Sequence, residues 1–286
     1  MSQNDPTNKQ TPIRVEFISG LGSAILNIGI TYPVTKLIYR QILENQRAVN
    51  SLQIIRKEGL WILYRGAIPP MLQRCVTLST MFAVYKAASL PLEHVKMGKY
   101  YKKISACFIA GTLESVFMPL ERIQILLVSS KYNKRFRNMF HLTAVIARDY
   151  HVKEFYRGYT LILLRNVTAN SCFFITKDEL NKRYGIDNTT NTKSFAGNIQ
   201  QFIFGSLIGT FMTILFYPLK VMKVNIHQNL GGRFRGLTEI AQDVYRKDGG
   251  GIANFYRGII INSFRSLFAW GITNVSYEYI KEKLNS

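Results

Sequence analysis

Two arginines are the residues of this chain best placed to act on a solute. Arg165 and Arg265 each stand near the start of an apolar run, in YRGYTLILLRN and YRGIIINSFRS. An arginine in a bilayer costs roughly 2.5–3.5 kcal/mol, so a lone one usually faces a cavity and has a partner there. The two positions are equivalent within their runs, so their guanidinium forks should converge. Two converging forks suit a pyrophosphate, whose oxygens accept bidentate pairs. The competing reading is that each arginine snorkels to an interface or pairs permanently with an acid. Glu114 is the other outlier, the only charge between Ile104 and Leu120. It precedes Glu121 by two helical turns, so both project from one face. Catalysis finds no support. No phosphate-cradling glycine loop, metal-ligand spacing or nucleophile–base pair is visible. Cys75, Cys107 and Cys172 lack zinc spacing and read as packing residues. His94, His141, His151 and His227 show no ligand spacing and read as surface residues.

The elements that position these residues repeat. Three apolar runs end at Pro33, Pro119 and Pro218. Each proline is followed 31 to 38 residues later by a triplet: Tyr64-Arg65-Gly66, Tyr156-Arg157-Gly158 and Tyr256-Arg257-Gly258. A second apolar run follows each triplet. Three triplets in register with three prolines imply a common origin and architecture. The reading is a disordered tail at 1–12, units at 13–97, 98–184 and 198–286, and an Asn/Thr-rich linker at 185–197. Each unit reads as a long helix, a short polar helix and a long helix. The short ones, about Val49–Lys57, Asn138–Asp149 and Leu237–Lys247, are amphipathic and too short to span, so they should lie at one membrane face. Small residues stand 13 and 9 positions before each proline: Gly20 and Ala24, Ala106 and Ala110, Gly205 and Gly209. That i, i+4 spacing allows close helix approach. The prolines should bend the first helix of each unit.

Ser194 to Leu219 is uncharged over 26 positions, and Phe17 to Thr35 is uncharged as well. At 1.5 Å per residue such runs cross a bilayer. Six spans are expected, giving an all-α membrane protein. The mean hydropathy of +0.01 is low for such a protein and fits spans around a water-filled cavity. With 37 basic and 17 acidic residues the net charge is +20. The basic residues are spread between spans, which favours anionic lipid or an anionic solute over nucleic acid. The polar N-terminus MSQNDPTNKQTP resembles neither a secretory signal nor an Arg-rich presequence.

The triplicated Pro-x-[acid]-x-x-[base] signature, followed by [acid]-Gly-x4-[aromatic]-[base]-Gly, resembles that of the mitochondrial carrier family. Glu58-Gly59 through Tyr64-Arg65-Gly66 fits the second half of the signature without departure. PVTKLIYRQ, PPMLQR, ESVFMPLERIQILL, YRGYTLILLRN and FRSLFAWGITNVSYEY resemble a divergent branch that includes the vertebrate mitochondrial carrier of nicotinamide adenine dinucleotide (NAD). The resemblance implies six tilted helices around a central cavity, threefold pseudosymmetry and alternating access. It further implies a monomer in the mitochondrial inner membrane, with both termini toward the intermembrane space. No cofactor is implied, NAD being the cargo.

The same resemblance assigns residues. The substrate contact position, seven residues after each triplet glycine, falls on Gln73, Arg165 and Arg265, with Arg74 and Asn166 adjoining. Glu114 joins the cavity lining or makes a structural bond between helices; both readings stand. So do two for Asn27, a cavity hydrogen bond or packing. The matrix gate has lost most of its charges. Thr35, Glu121 and Lys220 hold the acid positions, and Ile38, Gln124 and Lys223 the basic ones. Only Glu121 and Lys223 can form an ion pair, with Gln124 adding a hydrogen bond. Such a weak gate would let the empty carrier return, which leaves uniport open beside exchange. On the cytoplasmic side Asp178, Glu278 and Lys281 remain of the gate, and Lys86 replaces the first acid. Arg65, Arg157 and Arg257 are expected to help bind an anionic lipid, cardiolipin in this family. The rival readings are a carrier of coenzyme A or an adenine nucleotide, a degenerate carrier acting as a scaffold, and a proton leak through Glu114 and Glu121.

Overall fold

Proline decides where the helices break. The computed structural model describes residues 13–45, 49–53, 59–77, 108, 111, 112, 114–184 and 207–285, and regular secondary structure among them is entirely helical. At Pro119 the chain turns at Phe117 and restarts as Met118–Val128, with proline in the first turn, where its missing N–H is no loss. At Pro218 it does the same: Leu207–Leu215 and Tyr217–His227 meet at 58°. Pro33 behaves differently, lying inside one continuous helix, Ile13–Glu44. That helix is held along its length by Ile259–Asn285. Asn27 Nδ2 donates to Ala269 O at 2.9 Å and to Thr273 Oγ1 at 2.5 Å. Of the two readings of Asn27, packing is the one observed. Among the described helices Arg14–Glu44 alone is long and apolar enough to cross a membrane, and the bent pair at Pro218 qualifies jointly.

The short amphipathic helices form as Met139–Asp149 and Leu237–Arg246, and residues 49–53 are helical where the first is expected. Asn138 caps the second of them, its side chain accepting from His141 N at 2.8 Å. Each turns apolar residues inward: Leu142 and Ile146 in one, Ile240 and Val244 in the other, all buried.

The three triplets make equivalent turns. Gly66, Gly158 and Gly258 have φ of 88°, 87° and 83°, a region that favours glycine. Each turn leans on the proline helix of a different stretch. A Cβ at Gly66 would meet Leu127, one at Gly158 would meet Ile226, and one at Gly258 would meet Ile38. The triplet arginines reach the same way. Arg65 donates to the carbonyls of Tyr132, Asn133 and Phe136, Arg157 to those of Gly232 and Arg233, and Arg257 to that of Asn45. Two tyrosines repeat as well: Tyr32 Oη donates to Arg65 O at 3.0 Å and Tyr217 Oη to Arg257 O at 2.8 Å. The contacts therefore close a ring, the third triplet bracing the first helix. Inside it Ile38, Ile42, Ile125, Tyr217, Val221 and Val224 share one apolar core.

The close approaches seen among the described residues fall beside the small-residue pattern. A Cβ at Gly20 would meet nothing within 4 Å among the described residues. Tight contact falls instead at Gly22, 2.7 Å from Ile280 Cδ1, and at Gly111, 3.1 Å from the Val167 backbone. The interhelical crossings lie two residues later in one helix and one later in the other. Ala106, Ala110 and Gly205 lie outside the described residues.

Candidate functional site

The proline helices carry the expected ion pair. Lys223 Nζ donates to Glu121 Oε2 at 2.8 Å, tying Tyr217–His227 to Met118–Val128. The lysine is buried and the carboxylate keeps partial exposure, 7% against 24%. Gln124 is buried too, beside Tyr32, whose hydroxyl donates to Arg65 O. The first helix adds no charge here. Thr35 bonds its own helix at Thr31 O, and Ile38 is buried in the shared core. Lys220 donates to Asn262 Oδ1 at 2.5 Å and faces the rings of Tyr39 and Tyr217.

Arg165 and Arg265 approach this floor from the helices Tyr159–Tyr184 and Ile259–Asn285. Both interact electrostatically with Tyr39 and with Lys220, and Arg165 also with Glu121. Arg165 Nη1 donates to Asn166 Oδ1 at 3.1 Å, and Asn166 is itself buried. The Nε of each arginine is buried with no partner among the described residues. Gln73 is partly buried and Arg74 exposed, Arg74 interacting electrostatically with Arg265. Glu114 is partly buried and contributes to the field at Lys223. Such a floor, rich in guanidinium and ammonium groups, attracts a phosphorylated solute. At the other end of the long helices, Glu278 is exposed and Lys281 lies 5.6 Å from the Tyr277 ring. The side chain of Asp178 and the whole of Lys86 lie outside the described residues.

Sequence reasoning passed over a second ion cluster, one residue from Glu121. Arg122 Nη2 donates to Glu154 Oε1 at 2.7 Å and to Asn229 O at 2.8 Å. Arg157 Nη2 donates to Glu154 Oε2 at 3.0 Å, and Gly231 N to Oε1 at the same distance. All three side chains are essentially buried. The register holds a signal for it. Arg122 follows Pro119 by three and Glu154 precedes Tyr156 by two; the equivalent pair, Lys36 and Ile62, also bonds, through the Ile62 carbonyl. One histidine needs correction. His227 is fully buried at the end of its helix, not at the surface, and both ring nitrogens lack partners among the described residues.

A cleft of about 360 Å³ opens beside Arg157 and Gly158, rimmed by Phe234, Arg235 and Lys247. The Arg157 guanidinium is already engaged by Glu154 and two carbonyls, so the cleft presents an anion with the helix start at Gly158 and with Arg235 and Lys247 at its rim.

The profile of the mitochondrial carrier protein family matches residues 96–188 and 195–286. The chain belongs to the mitochondrial carrier family. Within it, the chain is 32% identical to the human mitochondrial nicotinamide adenine dinucleotide transporter over 265 residues, covering 92% of this chain and 88% of that one. The mouse transporter of the same name is 33% identical over 266 residues, with the same coverage. Human solute carrier family 25 member 53 is 25% identical over 282 residues, 93% of this chain and 87% of that one. Membership gives the three prolines and the triplets a common meaning: they are the family's signature, in which Glu121 and Lys223 form an ion pair in this chain.

Proposed function

We propose that this carrier imports NAD across the mitochondrial inner membrane by alternating access, and that it transports without catalysing a reaction. The observation that supports this reading is that Arg165 and Arg265 act electrostatically on Lys220, and Arg165 on Glu121 of the ion pair, in a chain similar to two NAD transporters. The pyrophosphate meets Arg165 and Arg265. Gln73, Arg74 and Asn166 read polar groups on the nucleosides, and Glu114 lines the cavity and disfavours more highly charged nucleotides. The architecture in this reading is six spans in three units, 13–97, 98–184 and 198–286, with a tail at 1–12, a linker at 185–197 and both termini toward the intermembrane space.

Glu121–Lys223, with Gln124 beside Tyr32, closes the matrix side; Asp178, Glu278 and Lys281 close the other. The protein works as a monomer. One exposed-edge ion pair is a low barrier, so the empty carrier returns readily and uniport follows. Cardiolipin is the lipid that fits the cleft at Gly158, its phosphate meeting backbone N–H groups at the helix start. Arg65, Arg157 and Arg257 then shape these lipid sites from behind while bonding the protein's own carbonyls.

The test is uptake of labelled NAD by liposomes containing the purified protein, beside ATP and coenzyme A, repeated with Arg165→Ala and Arg265→Ala. Saturable NAD uptake, lost in both folded variants, is the expected result. Preference for coenzyme A or ATP would replace the substrate, and no uptake of any solute would favour a scaffold.

A further inference from the structure

Lys220 occupies a position where the family's signature has an acid, and its surroundings do not neutralise it. Its ammonium has a neutral acceptor, Asn262 Oδ1 at 2.5 Å, and two ring faces, Tyr39 and Tyr217, with centroids at 5.9 and 5.5 Å. The charged groups acting on it are Arg265, Arg165 and Lys223, against one carboxylate, Glu121. That carboxylate is already bonded to Lys223. Asn262 is 1% exposed, and its Nδ2 has no partner among the described residues. It sits three residues before Arg265, on the same face of Ile259–Asn285.

A lysine among like charges, held by an amide and π faces, is a cation short of an anion. Cation–π contacts and one neutral acceptor stabilise it less than phosphate oxygens can. We infer that Lys220 is a third phosphate-binding group, joining Arg165 and Arg265 around the cargo's pyrophosphate, with Asn262 and the two tyrosines as its resting place in the empty carrier. The inference rests on the proposed reading that the cargo carries a pyrophosphate. It also places cargo next to the gate. Lys220 and Lys223 are three residues apart on one helical face, so an anion drawn to the first competes with Glu121 for the second.

The experiment compares NAD uptake by the wild type, Lys220→Met, Lys220→Arg and Asn262→Val in liposomes. In parallel, the melting of the detergent-solubilised proteins is followed with and without inorganic pyrophosphate. Losing one charge-assisted contact should raise the KM of Lys220→Met about tenfold or more, leaving Vmax within about twofold. Lys220→Arg should restore KM, and Asn262→Val, which frees the lysine, should lower it. Stabilisation by pyrophosphate should disappear in Lys220→Met alone. A purely structural lysine predicts instead that Lys220→Met and Asn262→Val both lose Vmax with KM unchanged; that pattern overturns the inference. Wild type that melts higher with pyrophosphate but takes up no NAD would overturn the transport reading and keep Lys220 as an anion site. Equal stabilisation of wild type and Lys220→Met by pyrophosphate would remove it.

Discussion

Glu121 and Arg122 are neighbours in sequence and opposites in use. Glu121 makes one bond to one lysine across two helices and keeps access to water. Arg122, pointing the other way, is sealed in a cluster with Glu154 and Arg157 that also ties down the loop at Asn229 and Gly231. One helix therefore presents a bond made to break beside a bond made to last. The difference is burial and multiplicity. A partly hydrated single pair is worth little and can open during a transport cycle. A buried multiple one, once formed, leaves a bare charge if either side is lost.

The comparison can be broken at four places. Glu154→Gln should have the largest effect, because Arg122 and Arg157 keep their charges in a buried site; a loss of about 3–5 kcal/mol is expected in denaturant or thermal unfolding in detergent. Little destabilisation there would mean the cluster is wetter than its geometry says. Gly158→Ala comes next, forcing φ of 87° on alanine with Ile226 Cγ2 only 2.8 Å from the new Cβ; about 1–3 kcal/mol should be lost. Glu121→Gln should cost about 1–2 kcal/mol, because buried Lys223 keeps its charge while the carboxylate side is open to water. Its signature is kinetic, a faster return of the empty carrier, read as faster NAD uptake into substrate-free liposomes. Reversing the pair, Glu121→Lys with Lys223→Glu, should bring the wild-type rate back; if it does not, the pair is no gate. Gly20→Ala should change unfolding by no more than about 0.5 kcal/mol, since open space surrounds that position. A large effect would point to a membrane-embedded neighbour there.

What the chain disclosed beforehand follows its periodicity. Three prolines and three triplets, counted against each other, lead to the helix bearing Arg165, because those features recur in register; the Glu121–Lys223 bond follows instead from the family resemblance, which assigns the residues two and five after each proline. Arg122–Glu154 recurs only as the Lys36–Ile62 bond, where a carbonyl replaces the acid, so matching side-chain types could not find it. Gly22 and Gly111 were missed for a related reason. Spacing identifies a small residue, but the crossing point depends on helix rotation, which no count supplies. His227 looks like any terminal polar residue until Tyr217–His227 is seen to be buried almost throughout. Pro33 shows that a proline need not end a helix, since Ile13–Glu44 runs through it with Ile259–Asn285 packed alongside.

The ring of triplet contacts closes between residues far apart in the chain. Arg257 reaches Asn45 across 212 residues, and Asn27 reaches Thr273 across 246. The first helix therefore meets the Ile259–Asn285 helix only when the end of the chain arrives. Assembly of this kind has a late, high-contact-order step. A chain ending before residue 259 is expected to be cleared by proteolysis, because its first helix loses the bonds at Asn27 that the last helix supplies.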